Sequence, residues 1–336
     1  MPYHVYVSNS GSEWFSHFIM DENTGALEPQ DNIALDGSPG AAATNAAETL
    51  LFVSLRSQQR LGSYAINRLS GKLTEIDTVP VQEGPPYVST DHTDRYLLAS
   101  YYGAGCVSVH QIADDGTLSE EPLQWIHTGP RAHSIQTDRS NRFAFVPHTM
   151  PTNAIFQFRF DASSGALTPN DPPKIQPEGP QGPRHFAFHP QKDLLYSINE
   201  DGSTVSAHHF DAQGGTLSSF GVISTLPEGF DGDNTTAEIA MTPDGKHLYA
   251  SNRGHDSLAL FDVGDDGTLT AKAHFDTETT PRFFDLDPTG HFLYAAGQGS
   301  GRMAFYQVDA ASGVLQPMEV YDGGESPLWI QFVKQA

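Results

Sequence analysis

The chain has 336 residues, 38% hydrophobic and 10% aromatic, with Gly 31 and Pro 23: a globular composition rich in turns. Lys+Arg 18 against Asp+Glu 41 gives a net charge of −23. Such a surface repels phosphate backbones and anionic lipid, which excludes nucleic acid and membranes as expected partners. The single cysteine, Cys106, excludes an intrachain disulfide and a cysteine metal cluster. It opens an apolar run, as a small buried hydrophobe would.

Residues Met1 to Asn9 carry no basic segment and no long apolar core, so no leader peptide is expected there. No apolar run approaches the ~18 residues of a membrane span. The expectation is a cytoplasmic protein. Tyr3 to Asn9 is β-branched and aromatic and reads as a strand closed by Gly11. Trp14 to Met20 is a second, and a third falls near Asn32 to Leu35.

Between the second and third strands lies Thr24-Gly25-Ala26-Leu27, the first of seven Gly-x-Leu turns. The others are centred on Gly71, Gly116, Gly165, Gly215, Gly267 and Gly313, at spacings of 46, 45, 49, 50, 52 and 46 residues. A near-constant period of this size means one structural unit repeated seven times. Gly flanked by apolar stretches predicts hairpins with a positive φ at each glycine.

From residue 50 onward the pattern settles into four strands per repeat, A to D in chain order. Strand A is expected at 86–92, 133–137, 184–189, 238–242 and 282–287. Strand B is expected at 50–55, 96–101, 143–146, 194–198, 247–251 and 292–296. Turns such as Pro190-Gln191-Lys192-Asp193 and Pro243-Asp244-Gly245-Lys246 join A to B. Strand C alternates, as in Val107 to Ile112 and Ser257 to Phe261, and Gly-x-Leu leads from C into D. No stretch has a helical period. The fold class is therefore all-β, a seven-bladed β-propeller with four antiparallel strands per blade. The chain begins on a B strand and ends on Pro327 to Val333, an unpartnered A strand. Pairing of these N- and C-terminal strands would close the ring and remove two exposed edges, making residues 1–336 one domain.

Antiparallel A and B strands put the start of every A and the end of every B on one face. That face collects His133, Arg184, His185, Glu238 and Arg282 with Asn9, Arg56, Tyr102, His148, Glu200, Arg253 and Gln298. The Gly-x-Leu turns fall on the opposite face. Two long D-to-A segments, 170–183 and 226–236, open beside the polar residues. Four arginines at one mouth, in a chain with 18 basic residues, suit bidentate capture of carboxylate or phosphate. A carboxylate and imidazoles beside them suit proton transfer. The alternative reading is a set of charges that solvates a water-filled tunnel.

Gly182-Pro183-Arg184-His185-Phe186-Ala187-Phe188-His189-Pro190 with Tyr196-Ser197-Ile198-Asn199-Glu200 resembles the core signature of the propeller-type lactonases. These are the bacterial 6-phosphogluconolactonases and the related carboxy-cis,cis-muconate cyclases. Thr242 to Arg253, Pro281-Arg282-Phe283 and Ala295 to Gln298 match the following blades, and the resemblance is closest over 130–336. It implies a site built from His148, Arg184, Glu200 and Arg253, to which the strand geometry adds His133, His185, Arg282 and Gln298 as expected contacts to a small anionic lactone. It also implies lactone hydrolysis without metal or cofactor, with Glu200 or His148 as general base. No Gly-x-Ser-x-Gly elbow suggests a serine nucleophile. A lactonising cyclase and a non-catalytic binding propeller are the alternatives.

Overall fold

The computed structural model describes residues 1–336, and every regular element in it is a strand. The strands form seven antiparallel sheets, the blades of a seven-bladed β-propeller. Blade 1 joins Pro327–Lys334 to Tyr3–Asn9, Trp14–Met20 and Leu27–Pro29, with Ile33–Ala34 also pairing the third strand. Blade 2 is Pro39–Thr44, Leu50–Leu55, Arg60–Ile66 and Leu73–Pro80. Blade 3 is Tyr87–Thr90, Tyr96–Tyr101, Cys106–Gln111 and Gln124–His127. Blade 4 is Gln136–Thr137, Phe143–His148, Ala154–Asp161 and Ala166–Ile175. Blade 5 is Pro183–Phe188, Leu194–Asn199, Thr204–Asp211 and Thr216–Ser224. Blade 6 is Thr235–Met241, His247–Arg253, Ser257–Val263 and Leu269–Asp276. Blade 7 is Pro281–Leu286, Phe292–Gly297, Arg302–Val308 and Leu315–Asp322.

The expected pairing of the chain ends is present in blade 1, where the Gln335 N–H also donates to the Pro2 carbonyl at 3.0 Å. The expected strand near Asn32 to Leu35 is the two-residue piece Ile33–Ala34, and Leu27–Pro29 precedes it on the same partner. The segment 170–183, expected as a loop, begins as strand, because Ala166–Ile175 continues D of blade 4.

The chain divides into two compact units. The first comprises Met1–His148, Ile155–Lys174 and Gln331–Ala336, and the second Thr149–Ala154 and Ile175–Ile330. In both units the B strands are buried on both faces, as in Tyr96–Tyr101 and Leu194–Asn199. Their near-continuous apolar sequence follows from that double burial. Outermost strands such as Leu315–Asp322 are largely exposed. Tyr96, Leu98, Val146 and Phe158 centre one core cluster in the first unit. Tyr249, Leu260, Phe284 and Tyr306 centre another in the second. Cys106 is buried, and burial, with the nearby Glu83 charge, pushes its thiol up to about 12, so it remains a protonated apolar filler.

All seven Gly-x-Leu glycines adopt positive φ, from 68° at Gly313 to 88° at Gly116. A side chain at Gly313 would also meet the His247 ring at 2.6 Å. The turns latch neighbouring blades. The hydroxyl of Tyr6 donates to the Gly71 carbonyl at 2.9 Å, Tyr196 to Gly267 at 2.8 Å and Tyr249 to Gly313 at 2.6 Å. Each such buried bond stabilises by about 1 kcal/mol. The tyrosine sits on a B strand and the glycine in the next blade, so one repeat is tied to another.

Candidate functional site

Three A strands of the second unit and one in the first share an irregularity. The pairing register shifts between Pro183 and His185, between Thr236 and Ile239, between Pro281 and Phe283, and between Pro39 and Ala42. Each shift is a β-bulge, which leaves residues unpaired and re-aims their side chains. Arg184 and Arg282 are the extra residues of blades 5 and 7, and Ala237 with Glu238 fill the bulge of blade 6. Pro183 and Pro281 open their strands, where a missing N–H is tolerated.

These bulges, with the ends of the adjoining B strands, build a cluster within the second unit. Arg184 is 2% exposed, among the largest fully buried side chains of the protein. Its Nε lies 2.9 Å from Glu200 Oε2, and Arg253 Nη2 lies 3.2 Å from the same oxygen. Arg253 Nη2 also donates to the Thr236 carbonyl at 2.7 Å. Arg184 Nη1 donates to the Ala237 carbonyl and stands 3.4 Å from His185 Nε2. His185 Nδ1 is 2.8 Å from Glu238 Oε2, and Glu238 Oε1 accepts from the Ile239 N–H at 3.1 Å. One network thus joins two guanidiniums, two carboxylates and an imidazole from two blades.

The electrostatics lean in one direction. Burial, then the charges of Arg282 and Arg253, lower the Arg184 guanidinium below its ordinary value, against the pull of Glu200 and Glu238. Burial and Arg184 hold His185 well below its ordinary value, so its ring is neutral. Burial raises Glu238 to about 8 although Arg184 and Arg282 pull it down. Burial, with Glu238 next, raises Asp285 to about 7. Two arginines on Glu200, with the Arg282 charge felt by Arg184, leave a positive excess that suits a bound anion.

The expected residues divide between the two units. Arg184, His185, Glu200, Arg253, Arg282 and Gln298 belong to the second. Gln298 follows the B strand of blade 7, its N–H on the Thr280 carbonyl at 2.9 Å. Arg56, His133 and His148 belong to the first. There His148 ends the B strand of blade 4 and bridges Ala132, beside His133. Its Nδ1 is 3.0 Å from the Pro130 carbonyl, while Nε2 is buried without a hydrogen-bond partner. Burial lowers its pKa to about 4, so the ring is neutral at ordinary pH. His133 packs edge-on to Tyr102, centroids 5.6 Å apart. Burial lowers Arg56, offset by Glu83. The bulges and the partnership of His185 with Glu238 have no signature in composition or spacing. The paired Pro-Arg dipeptides at 183–184 and 281–282 are the one local hint.

The fold defines the protein as a seven-bladed β-propeller, a class that carries many activities. Residues 4–332 match the model of the lactonase family, described as "Lactonase, 7-bladed beta-propeller". The 6-phosphogluconolactonase of Erwinia tasmaniensis is 33% identical over 327 residues, covering 97% of either chain. That of Serratia proteamaculans is 32% identical, with 98% of either chain covered. The periplasmic gluconolactonase of Pseudomonas aeruginosa superposes over the whole of both chains with a TM-score of 0.91 at 24% identity, a likeness of fold. The chain belongs to the seven-bladed lactonase family, an enzyme family of hydrolases.

Proposed function

We propose that the protein hydrolyses 6-phosphogluconolactone to 6-phosphogluconate, the lactone-opening step of the pentose phosphate pathway, at the arginine cluster of the second unit. The observation that carries this is the single oxygen Glu200 Oε2 held by both Arg184 and Arg253. Both ion pairs fall on Oε2, which leaves Oε1 to act on water. Glu200 Oε1 takes a proton from water as the water oxygen bonds to the lactone carbonyl carbon. The guanidinium N–H groups stabilise the oxyanion that forms. Collapse breaks the bond between carbonyl carbon and ring oxygen, and the ring oxygen leaves as a hydroxyl once protonated. His148, the other candidate for proton transfer, belongs to the first unit, where its neutral ring leaves Nε2 buried without a hydrogen-bond partner.

Arg282, only partly buried and with a charge that reaches the cluster, is the group for the substrate's phosphate. Gln298 is the further expected substrate contact of this unit, and His133, the other, belongs to the first. The electrophile in this reading is a guanidinium, and no group of three or more His, Cys, Asp or Glu side chains is arranged to hold a metal ion. The expected partner is thus a small anionic lactone, with nucleic acid disfavoured by the net charge of −23. No helix is long and apolar enough to cross a membrane. Glu200→Gln tests the reading: with 6-phosphogluconolactone, kcat should fall about a hundredfold. Full retention of the rate would overturn it.

A further inference from the structure

We propose that Glu238 and His185 form a buried positioning relay that fixes the orientation of Arg184, and that neither residue acts on substrate itself. The proposal rests on the placement of catalysis at Arg184 given above. A guanidinium has only donors. Its Nη1, 3.4 Å from His185 Nε2, therefore meets an acceptor nitrogen. A neutral ring that accepts at Nε2 carries its proton on Nδ1. That proton points along the 2.8 Å contact to Glu238 Oε2. The direction of every hydrogen bond from Arg184 through His185 to Glu238 is then determined.

Glu238 is itself pinned, with Oε1 on the Ile239 N–H at 3.1 Å and its own N–H on Ser251 Oγ at 2.9 Å. His185 is 2% and Glu238 7% exposed. Both ring nitrogens of His185 are thus committed inside the protein, which gives it a positioning role in place of the expected substrate contact. Arg184 reaches from the bulge of blade 5 to the Ala237 carbonyl in the bulge of blade 6, next to Glu238. The relay locks these two bulges together. A long guanidinium side chain left unanchored would lose the geometry that transition-state stabilisation requires.

The test combines kinetics with a readout independent of substrate. Glu238→Ala should lower kcat at least about tenfold, the value of a hydrogen bond to a charged group. Glu238→Gln, which keeps an acceptor oxygen, should restore most of that loss. In an Arg184→Ala background, Glu238→Ala should cause no further loss, because its effect runs through Arg184. Nitrogen-15 spectra of histidine-labelled wild-type protein should show His185 as the neutral Nδ1–H tautomer near pH 7. Glu238→Ala should shift it toward Nε2–H. An Nε2–H or cationic His185 in the wild type overturns the relay, as do additive losses in the double variant. Should the wild type fail to hydrolyse the lactone, the catalytic reading falls, and the tautomer still decides the relay.

Discussion

Acidification from pH 6.5 to 4 should destabilise this protein through its buried histidines. Three of them are held near pKa 4. His17 is buried and 3.0 Å from His4, so burial and then the His4 charge oppose its protonation. Burial does the same for His148. His208 is buried between the Ser197 and Ser219 hydroxyls, each 2.9 Å from a ring nitrogen. In the unfolded chain these rings titrate near 6.5. The unfolded state therefore binds more protons across that window. The stabilisation is present above pH 6.5 and is lost as pH falls toward 4. A depression from 6.5 to about 4 corresponds to about 3 kcal/mol per ring, at about 1.4 kcal/mol per pH unit. Three rings contribute a slope near 4 kcal/mol per pH unit, while Glu238 and Asp285, raised to about 8 and about 7, bind protons in the folded state over the same window and offset about 3 of it. Urea titrations at half-unit intervals from pH 7.5 to 4 measure the slope. His208→Asn, which can still bond the serines, should lower the slope by about 1.4 kcal/mol per pH unit, a third of the histidine contribution. A stability flat from pH 7 to 5, or an unchanged slope in the variant, would refute the reasoning.

Tyr249→Phe removes the 2.6 Å bond to the Gly313 carbonyl and should cost about 1 kcal/mol in urea unfolding while leaving kcat intact. Gly313→Ala should cost about 2 kcal/mol or more, because the site combines a φ of 68° with a Cβ position 2.6 Å from the His247 ring. Removal of residues 327–336 strips blade 1 of its inner strand and should abolish cooperative thermal unfolding, read by circular dichroism; a native-like transition would contradict the pairing of the chain ends.

The fold was legible because its signals are local and repeated. Each Gly-x-Leu needs a left-handed glycine, and Gly25 through Gly313 all supply one. The B strands were readable because double burial makes them continuously apolar, and Leu50–Leu55 and Tyr96–Tyr101 fall where expected. D of blade 4 was less so: its run Asp171-Pro172-Pro173-Lys174 carries turn residues yet belongs to the outer strand of the sheet. The gathering of Arg184, Glu200 and Arg253 followed from strand phase alone. What strand phase cannot supply is the one-residue register shift that turns Arg184 inward. Nor does it reveal that His185 faces Glu238 across two blades, since both contacts depend on bulges with no period. The tyrosine latches were hidden for the same reason: a tyrosine in a B strand looks like ordinary core until its hydroxyl is traced to the next blade.

The most direct measurement of the central claim is the rate of lactone opening followed by acid release in a pH-stat, with freshly prepared 6-phosphogluconolactone and its unphosphorylated counterpart. An arginine cluster that holds the phosphate predicts hydrolysis well above the spontaneous rate for the phosphorylated lactone. It also predicts a kcat/KM at least about tenfold higher than for the neutral one, as a charge-assisted contact would give. A rate no faster than the uncatalysed reaction, or equal kcat/KM for the two lactones, would contradict it.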